Sequence, residues 1–107
     1  MESIQPEVLR SAIKEVWIRA LTEVQPDVLN ALVKARAEET NPRGQQYLDI
    51  LIENAKKAKE NRIVICQDTG VPTFFVKTSL SFPFTGDIRA EFDGALRDLT
   101  KKEFPMR

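Results

Sequence analysis

The sequence predicts an α+β fold that is rich in helix, and three observations support this prediction. Apolar residues recur at steps of three and four through the first half of the chain, which is the spacing of amphipathic helices. Two short runs of β-branched and aromatic residues follow, at 63–66 and 73–78. A further helical pattern begins near Asp87. We therefore predict three N-terminal helices, two short strands around a polar turn, and one C-terminal helix.

The first predicted helix begins near Ser3. Ser3 is a suitable N-cap, and Pro6 falls in the first turn, where its missing N–H does no harm. The helix ends before Pro26, because proline disfavours a helical conformation of the preceding Gln25. One apolar stripe runs through Leu9, Ala12, Ile13, Val16, Trp17, Ala20, Leu21 and Val24.

Prolines also mark the next two predicted helices. The second starts at about Pro26, and its polar end is closed by Pro42. The third begins with Asn41 as the cap and Pro42 in the first turn. Its last turn carries a cluster of cations that favours a solvated helix end, where they suit the helix dipole, over a binding patch. The cluster comprises Lys56, Lys57, Lys59 and Arg62. The apolar stripes suggest that these three helices pack together.

The two predicted strands are Ile63–Cys66 and Thr73–Thr78, and Gln67–Pro72 between them has the composition of a turn. Two arrangements are open: the strands pair as a hairpin, or they join a sheet whose other strands lie outside this chain. In the last predicted helix, Gly94 lowers the helix propensity by up to ~1 kcal/mol relative to alanine.

The composition limits the classes of function. A chain of 107 residues is expected to form one domain, 1–107, and 42% apolar with 30% charged residues is typical of a globular protein. Sixteen basic residues balance sixteen acidic ones, so the basic footprint of a nucleic-acid-binding protein is lacking. There is neither an apolar run long enough to span a membrane nor a signal-peptide pattern, so no membrane association is expected.

Cysteine and histidine usage is equally informative. One cysteine cannot form an internal disulfide, which fits a reducing compartment and predicts a cytoplasmic protein. The chain has no histidine. This excludes Ser-His-Asp and Cys-His catalysis, and any histidine-ligated zinc, within the 107 residues.

A reactive pentapeptide, Cys66-Gln67-Asp68-Thr69-Gly70, follows the first predicted strand. Gly70 is able to adopt positive φ and turn the backbone, and Asp68 and Thr69 can bond nearby backbone groups. Taken alone, these residues favour a structural interpretation, with Cys66 a small buried hydrophobe and the rest turn chemistry. A redox site at Cys66 is disfavoured, because the neighbouring carboxylate of Asp68 opposes formation of the thiolate.

A resemblance to a known family changes this interpretation. Residues 62–70, RIVICQDTG, resemble the signature of the α region of class I, iron–sulfur-dependent hydro-lyases, which include class I fumarases, mesaconases and L(+)-tartrate dehydratases. Residues 44–62 are similar to the family's helix before that motif, 25–29 to the start of the preceding helix, and 74–76 to the following strand. The resemblance covers essentially the whole chain, as about the first third of such an α region.

The resemblance implies roles for three residues. Cys66 would be one of three cysteine ligands to a [4Fe–4S] cluster, whose fourth iron binds substrate directly and acts as a Lewis acid. Gln67 and Asp68 would lie beside the cluster and hydrogen-bond the hydroxyl or carboxylate of the substrate. The implied reaction is reversible trans addition of water to a C=C bond of a dicarboxylate. Fumarate to malate is the expected case, with tartrate dehydration and mesaconate hydration as alternatives.

One departure from the family pattern is important. The family needs three cysteines, and this chain has one; the other ligands, the cations that grip a dicarboxylate and the catalytic base are expected beyond Arg107. No catalytic residue is therefore assigned within this chain. The ending, residues 103–107, resembles a point midway through the family's α region. We expect an N-terminal fragment of a larger hydro-lyase α domain, inactive by itself and without a stable [4Fe–4S] cluster.

The same resemblance implies partners. They are the dicarboxylate substrate, the remainder of the α region, and a β region or subunit, with a homodimer or α2β2 assembly when complete. Self-association of the isolated fragment is expected, because its apolar surface lacks the rest of the domain. The alternative function is a non-enzymatic, stand-alone binding or interaction domain with the same fold.

Overall fold

The computed structural model describes residues 3–68 and 70–102. Four helices account for most of this part of the chain, and their bounds are α1 (Pro6–Thr22), α2 (Pro26–Glu38), α3 (Pro42–Asn61) and α4 (Ile88–Lys102). Thr69 and the ending at 103–107 lie outside the described residues. None of the helices in the described part is both long and apolar enough to cross a membrane.

The predicted α+β class is wrong: the residues that the structure describes form helices and no strand. A strand is defined by its ladder, and Ile65 has none, because its N–H bonds the Leu21 carbonyl at 2.9 Å. The Ile65 carbonyl accepts from the Asn54 side chain. Residues 73–78 likewise have no ladder partner within 3–68 and 70–102, so neither the second strand nor the hairpin is formed. Strand propensity describes how side chains suit a sheet and does not supply the neighbouring strand.

The described residues group into two compact units. Unit 1 contains the residues up to Trp17 and those from Asp68 onward, which include most of α1 and all of α4. Unit 2 is Ile18–Gln67, with the last turn of α1, α2 and α3.

Unit 2 is built around the packed pair of α2 and α3. Both begin at the prolines the sequence indicated: Gln25 precedes Pro26, and the side chain of Asn41 accepts a hydrogen bond from the Arg43 N–H at 2.9 Å. These predicted starts are confirmed, because capping and proline geometry are local. The buried side chains of this unit are Ile18, Leu21, Thr22, Ala55 and Ala58.

Helix α1 begins at Pro6, later than the predicted start near Ser3. The Gln5 carbonyl accepts hydrogen bonds from the N–H groups of Val8 and Leu9, so Gln5 takes the capping position. The apolar stripe is confirmed in part. Ile13, Trp17 and Leu21 are buried, but Val16 is 59% exposed and Ile18, outside the stripe, is buried.

An aromatic cluster forms the core of unit 1. The Phe74 ring centroid lies 5.6 Å from that of Trp17 and 4.6 Å from that of Phe92. Edge-on and tilted contacts of this kind are favourable because of the ring quadrupoles. Helix α4 begins after Asp87, whose Oδ1 accepts from the Ala90 N–H at 3.2 Å, close to the predicted start. The aliphatic residues buried in this unit are Ile13, Ala95 and Leu99.

Candidate functional site

The approach to the candidate site begins at the C-terminus of α3. Arg62 adopts the left-handed conformation, with φ 54° and ψ 46°. Its N–H bonds the Lys59 carbonyl at 3.4 Å, and the Ile63 N–H bonds the Ala58 carbonyl at 3.0 Å. This is the Schellman pattern, which terminates a helix and is usually closed by glycine. The left-handed conformation costs about 1 kcal/mol in a residue that has a side chain. The structure therefore strongly specifies the direction in which the chain leaves α3.

Two hydrogen bonds within unit 2 hold the backbone of Ile65, the residue immediately before Cys66. The Ile65 N–H donates to the Leu21 carbonyl at 2.9 Å, and the Ile65 carbonyl accepts from Asn54 Nδ2 at 2.8 Å. Leu21 is on α1 and Asn54 is on α3. The last turn of α1 and a side chain of α3 therefore hold the Ile65 backbone in place, where the sequence predicted a strand.

Cys66 and Gln67 follow this anchor as the last two residues of unit 2. Both are exposed, and Cys66 is not part of a disulfide. The interpretation of Cys66 as a small buried hydrophobe is therefore wrong. An exposed thiol on a fixed backbone is accessible to a metal or a modifying reagent, and the Gln67 carboxamide next to it offers both a donor and an acceptor.

Asp68 and Gly70, in unit 1, form the predicted turn. The Gly70 N–H donates to Asp68 Oδ1 at 3.3 Å, and Gly70 has φ +65°. The positive φ expected of Gly70 and the backbone contact expected of Asp68 are both confirmed. A side chain at Gly70 would meet no atom within 4 Å, so it is the backbone conformation that favours glycine there. The Asp68 side chain is exposed.

The motif thus presents a thiol, a carboxamide and a carboxylate in sequence, all exposed. These groups suit a ligand that carries hydroxyl and carboxyl oxygens, and a metal that accepts sulfur. The described part of this chain does not form such a metal site by itself. Within 3–68 and 70–102 there is no group of three or more His, Cys, Asp or Glu side chains able to hold a metal ion.

Two residues that shape this site were not singled out from the sequence. Asn54 lies in the helix segment that resembles the family, but the sequence indicated no separate role for its side chain. Its one available signal was a polar side chain on the helix that leads into the motif. Arg62 was assigned to a solvated cation cluster, and nothing in its residue type predicts a left-handed backbone, which glycine or asparagine would have indicated.

Comparison with known proteins places these features in context. The sequence model of the family described as fumarate hydratase (Fumerase) matches residues 10–107. The chain is 36% identical over 69 residues to a putative L(+)-tartrate dehydratase subunit alpha of Methanocaldococcus jannaschii. It is 38% identical over 72 residues to a putative fumarate hydratase class I of Geobacillus stearothermophilus. It is 31% identical over 86 residues to the L(+)-tartrate dehydratase subunit alpha of Escherichia coli. No solved structure matches significantly.

The matches cover most of this chain but a small part of each relative. They span 64%, 66% and 80% of this chain for the M. jannaschii, G. stearothermophilus and E. coli proteins. In the same order they span 24%, 14% and 28% of the relatives. The chain therefore corresponds to about a quarter or less of the curated proteins that it matches.

Proposed function

Since this chain belongs to the fumarate hydratase family of hydro-lyases, we propose that it is the N-terminal part of the α region of an enzyme that adds water reversibly to a C=C bond of a dicarboxylate. The observation that carries this proposal is the family match over residues 10–107, which includes the exposed thiol, carboxamide and carboxylate of Cys66, Gln67 and Asp68. In this proposal the complete enzyme is cytoplasmic.

Fumarate, hydrated to malate, is the substrate that we propose. Tartrate dehydration and mesaconate hydration are the alternatives within the same chemistry. Two of the relatives given above are named as L(+)-tartrate dehydratase α subunits and one is named as a class I fumarate hydratase. All three reactions add or remove water beside a carboxylate, so the substrate class is a dicarboxylate in each case.

Gln67 and Asp68 are proposed to hold the substrate. A carboxamide can donate to a substrate carboxylate and accept from its hydroxyl, whereas an ionised carboxylate accepts only. Gln67 is therefore assigned to a carboxylate or hydroxyl, and Asp68 to the hydroxyl. The turn that the Gly70 N–H closes on Asp68 Oδ1 limits the positions that the carboxylate can take.

The donor set of this chain does not by itself fit the [4Fe–4S] cluster that the family resemblance implies. Such a cluster needs three thiolates, and the 107 residues contain one cysteine. We assign Cys66 as one ligand, with the others supplied by the rest of the subunit. The isolated chain is accordingly expected to hold no stable cluster and to have no hydro-lyase activity.

The proposed partners are the remainder of the α region and a β region or subunit. Two of the relatives are named as α subunits, which implies an enzyme with more than one kind of subunit. A complete assembly of the α2β2 type, or a homodimer of chains that contain both regions, would satisfy this proposal.

The experiment uses a fused subunit, in which this chain replaces the matched part of the E. coli L(+)-tartrate dehydratase α subunit, co-produced anaerobically with that enzyme's second subunit. Dehydration of L(+)-tartrate and hydration of fumarate and mesaconate are assayed. We expect the fused subunit to be active. Cys66→Ser should abolish this activity, and the matched control Ser81→Ala should retain it. Activity unaffected by Cys66→Ser contradicts the assignment of Cys66. A folded fused subunit without any of these activities contradicts the hydro-lyase proposal.

The substrate preference needs a different measurement, because most of a fused subunit would come from the tartrate enzyme. Reading the gene beyond the codon for Arg107 and assaying the protein that it encodes addresses this point. Faster turnover of fumarate than of mesaconate or tartrate is expected. The 107-residue chain alone is tested by anaerobic reconstitution, which should leave no stable brown species. A visible spectrum that corresponds to one cluster per chain would contradict the expectation that the isolated chain holds no stable cluster.

A further inference from the structure

The chain that leaves α3 runs back along the same helix toward Cys66, and α3 itself holds this segment in place. The Ile63 N–H donates to the Ala58 carbonyl at 3.0 Å, and the Ile65 carbonyl accepts from Asn54 Nδ2 at 2.8 Å. Four residues of helix advance about 6 Å, and two residues of chain reach at most about 7 Å. A side chain one turn before Ala58 is therefore placed to meet the Ile65 carbonyl, and residue 54 supplies it.

The residue type at position 54 suits this bond. The asparagine carboxamide carries N–H donors, whereas an aspartate of the same shape would present only acceptors to the Ile65 oxygen. Asparagine is a poorer helix former than alanine, and Asn54 is exposed in the interior of α3. Neither helix formation nor burial accounts for an asparagine here, and the bond to the Ile65 carbonyl does.

The bond to the Ile65 carbonyl fixes the start of Cys66. The six atoms from the Cα of Ile65 to the Cα of Cys66 lie in one plane, and in a trans peptide the C=O and N–H groups point in opposite directions. Asn54 holds the carbonyl of this plane, and the Leu21 carbonyl holds the Ile65 N–H at 2.9 Å. The position of the Cys66 Cα is then determined, and the direction of its thiol depends on rotation about the N–Cα and Cα–Cβ bonds.

Gln67 follows Cys66 directly, and Asn54 belongs to the same compact unit, Ile18–Gln67. We propose that Asn54 is a positioning residue of the hydro-lyase site. Through the peptide before Cys66 it sets where the Cys66 thiol and the Gln67 carboxamide stand. The inference rests on the proposed function, which gives those two side chains their roles. Asn54 itself is assigned no contact with the substrate.

Nitrogen-15 relaxation of the 107-residue chain measures this role directly, because the Cys66 N–H lies in the peptide plane that Asn54 holds. The order parameter of this amide should be about 0.85, the value of a rigid backbone, and should fall below about 0.6 in Asn54→Ala. Alanine is the better helix former, so a weaker α3 would not explain this loss of order. Asn54→Asp keeps the size of the side chain but lacks the donor, and it should give the same loss.

Asn61→Ala is the matched control. Asn61 is an exposed asparagine of the same helix, and its Nδ2 also donates to a backbone carbonyl, that of Lys57, at 3.0 Å. The substitutions at 54 and 61 therefore remove the same kind of hydrogen bond, but only Asn54 bonds the peptide that leads into Cys66. Asn61→Ala should leave the Cys66 order parameter unchanged.

Kinetics of the fused subunit described above test the effect on the site. A merely structural loss lowers the fraction of folded enzyme, which lowers the apparent kcat and leaves KM unchanged. A displaced Gln67 carboxamide weakens a substrate contact. Asn54→Ala should therefore raise the KM for L(+)-tartrate about fivefold, which corresponds to the usual worth of one hydrogen bond. Asn61→Ala should leave this KM unchanged.

Three results would overturn the inference. The first is a Cys66 order parameter that both Asn54 variants leave unchanged while the amides of α3 show that the helix is folded. The second is an equal loss of order in Asn61→Ala, since the effect would then be general to α3. The third is an unchanged KM in an active Asn54→Ala fused subunit, because the bond would then serve the backbone alone.

The order parameter does not depend on catalysis, so this inference and the proposed function can fail separately. A folded fused subunit that is inactive with Asn54 in place contradicts the proposed function, and the order parameter then decides alone whether Asn54 positions Cys66. An active fused subunit in which Asn54→Ala changes neither the order parameter nor KM upholds the proposed function and overturns the inference.

Discussion

Arg10 of α1 and Glu91 of α4 are joined by a hydrogen-bonded ion pair, with 2.9 Å between Arg10 Nε and Glu91 Oε2. The Arg10 guanidinium lies over Gly94, which is one turn beyond Glu91 on α4. A Cβ atom built on Gly94 would stand 2.7 Å from Arg10 Cζ and from one of its terminal nitrogens. The glycine that weakens α4 by its propensity therefore leaves the space in which the guanidinium reaches Glu91.

Gly94→Ala should change the free energy of unfolding little, by less than ~0.5 kcal/mol. The gain in helix propensity, up to ~1 kcal/mol, is offset by the loss of a partly exposed ion pair of similar worth. Urea denaturation measures the difference. In an Arg10→Met background, which has no guanidinium to displace, the same substitution should stabilise by up to ~1 kcal/mol. Equal effects in both backgrounds would refute the link between Gly94 and Arg10.

Asp98 should titrate below its usual range. The hydrogen bond from Lys14 Nζ, 2.9 Å from Asp98 Oδ2, lowers the pKa of this carboxyl more than partial desolvation raises it, with help from the charges of Lys102 and Arg10. A pKa lower in the folded than in the unfolded chain contributes stability above the unfolded value of 3.8. That stability is lost as the pH falls through the folded value.

Lys14→Gln tests this assignment. The pKa of Asp98 should rise toward its ordinary value, and the loss of stability at acid pH should become shallower. Carboxyl-carbon NMR of Asp98 follows the titration directly. Lys57→Gln, which removes a lysine that pairs with Glu53 in unit 2, is the matched control and should leave it unchanged. An unaltered Asp98 titration in Lys14→Gln would contradict the role of Lys14.

Asn54→Ala should loosen the backbone just before Cys66. The substitution removes the donor to the Ile65 carbonyl, and the expected cost is ~1 kcal/mol, the usual worth of such a hydrogen bond. The Ile65 amide, which bonds the Leu21 carbonyl, should exchange several-fold faster. Gln46→Ala removes an exposed carboxamide from the same helix and should affect neither quantity. Unchanged exchange at Ile65 in Asn54→Ala would exclude Asn54 as the anchor.

Arg62→Gly should be more stable than Arg62→Ala by about 1 kcal/mol. Both variants lack the arginine side chain and its interactions, so their difference isolates the backbone at φ 54°. Glycine adopts this conformation without the steric cost that alanine retains. Urea denaturation of the two variants, side by side, gives the value. Equal stabilities would show that Arg62 is not held in the left-handed conformation in solution.

Features that depend on neighbouring residues along the chain could be predicted from the amino-acid order alone. Pro26 and the Asn41-Pro42 pair located the starts of α2 and α3, because a proline fixes its own φ and a cap bonds N–H groups two or three residues away. The turn at Gly70 was likewise predictable, since its positive φ and the Asp68 contact lie within three residues. The motif and its family resemblance are also properties of sequence alone.

The conformation of segments that need a partner distant along the chain depends instead on how the helices pack. Ile63–Cys66 has strand composition, yet Leu21 and Asn54 satisfy Ile65 from two helices, 44 and 11 residues away along the chain. The exposure of Cys66 could not be predicted from the sequence either, because an Ile-Val-Ile-Cys run suits a buried position as well as an exposed one. Hydrogen bonds across the fold join residues that are distant along the chain. The composition of a segment therefore indicates which hydrogen-bonding partner would suit it, whereas the packing of the helices determines which partner it meets.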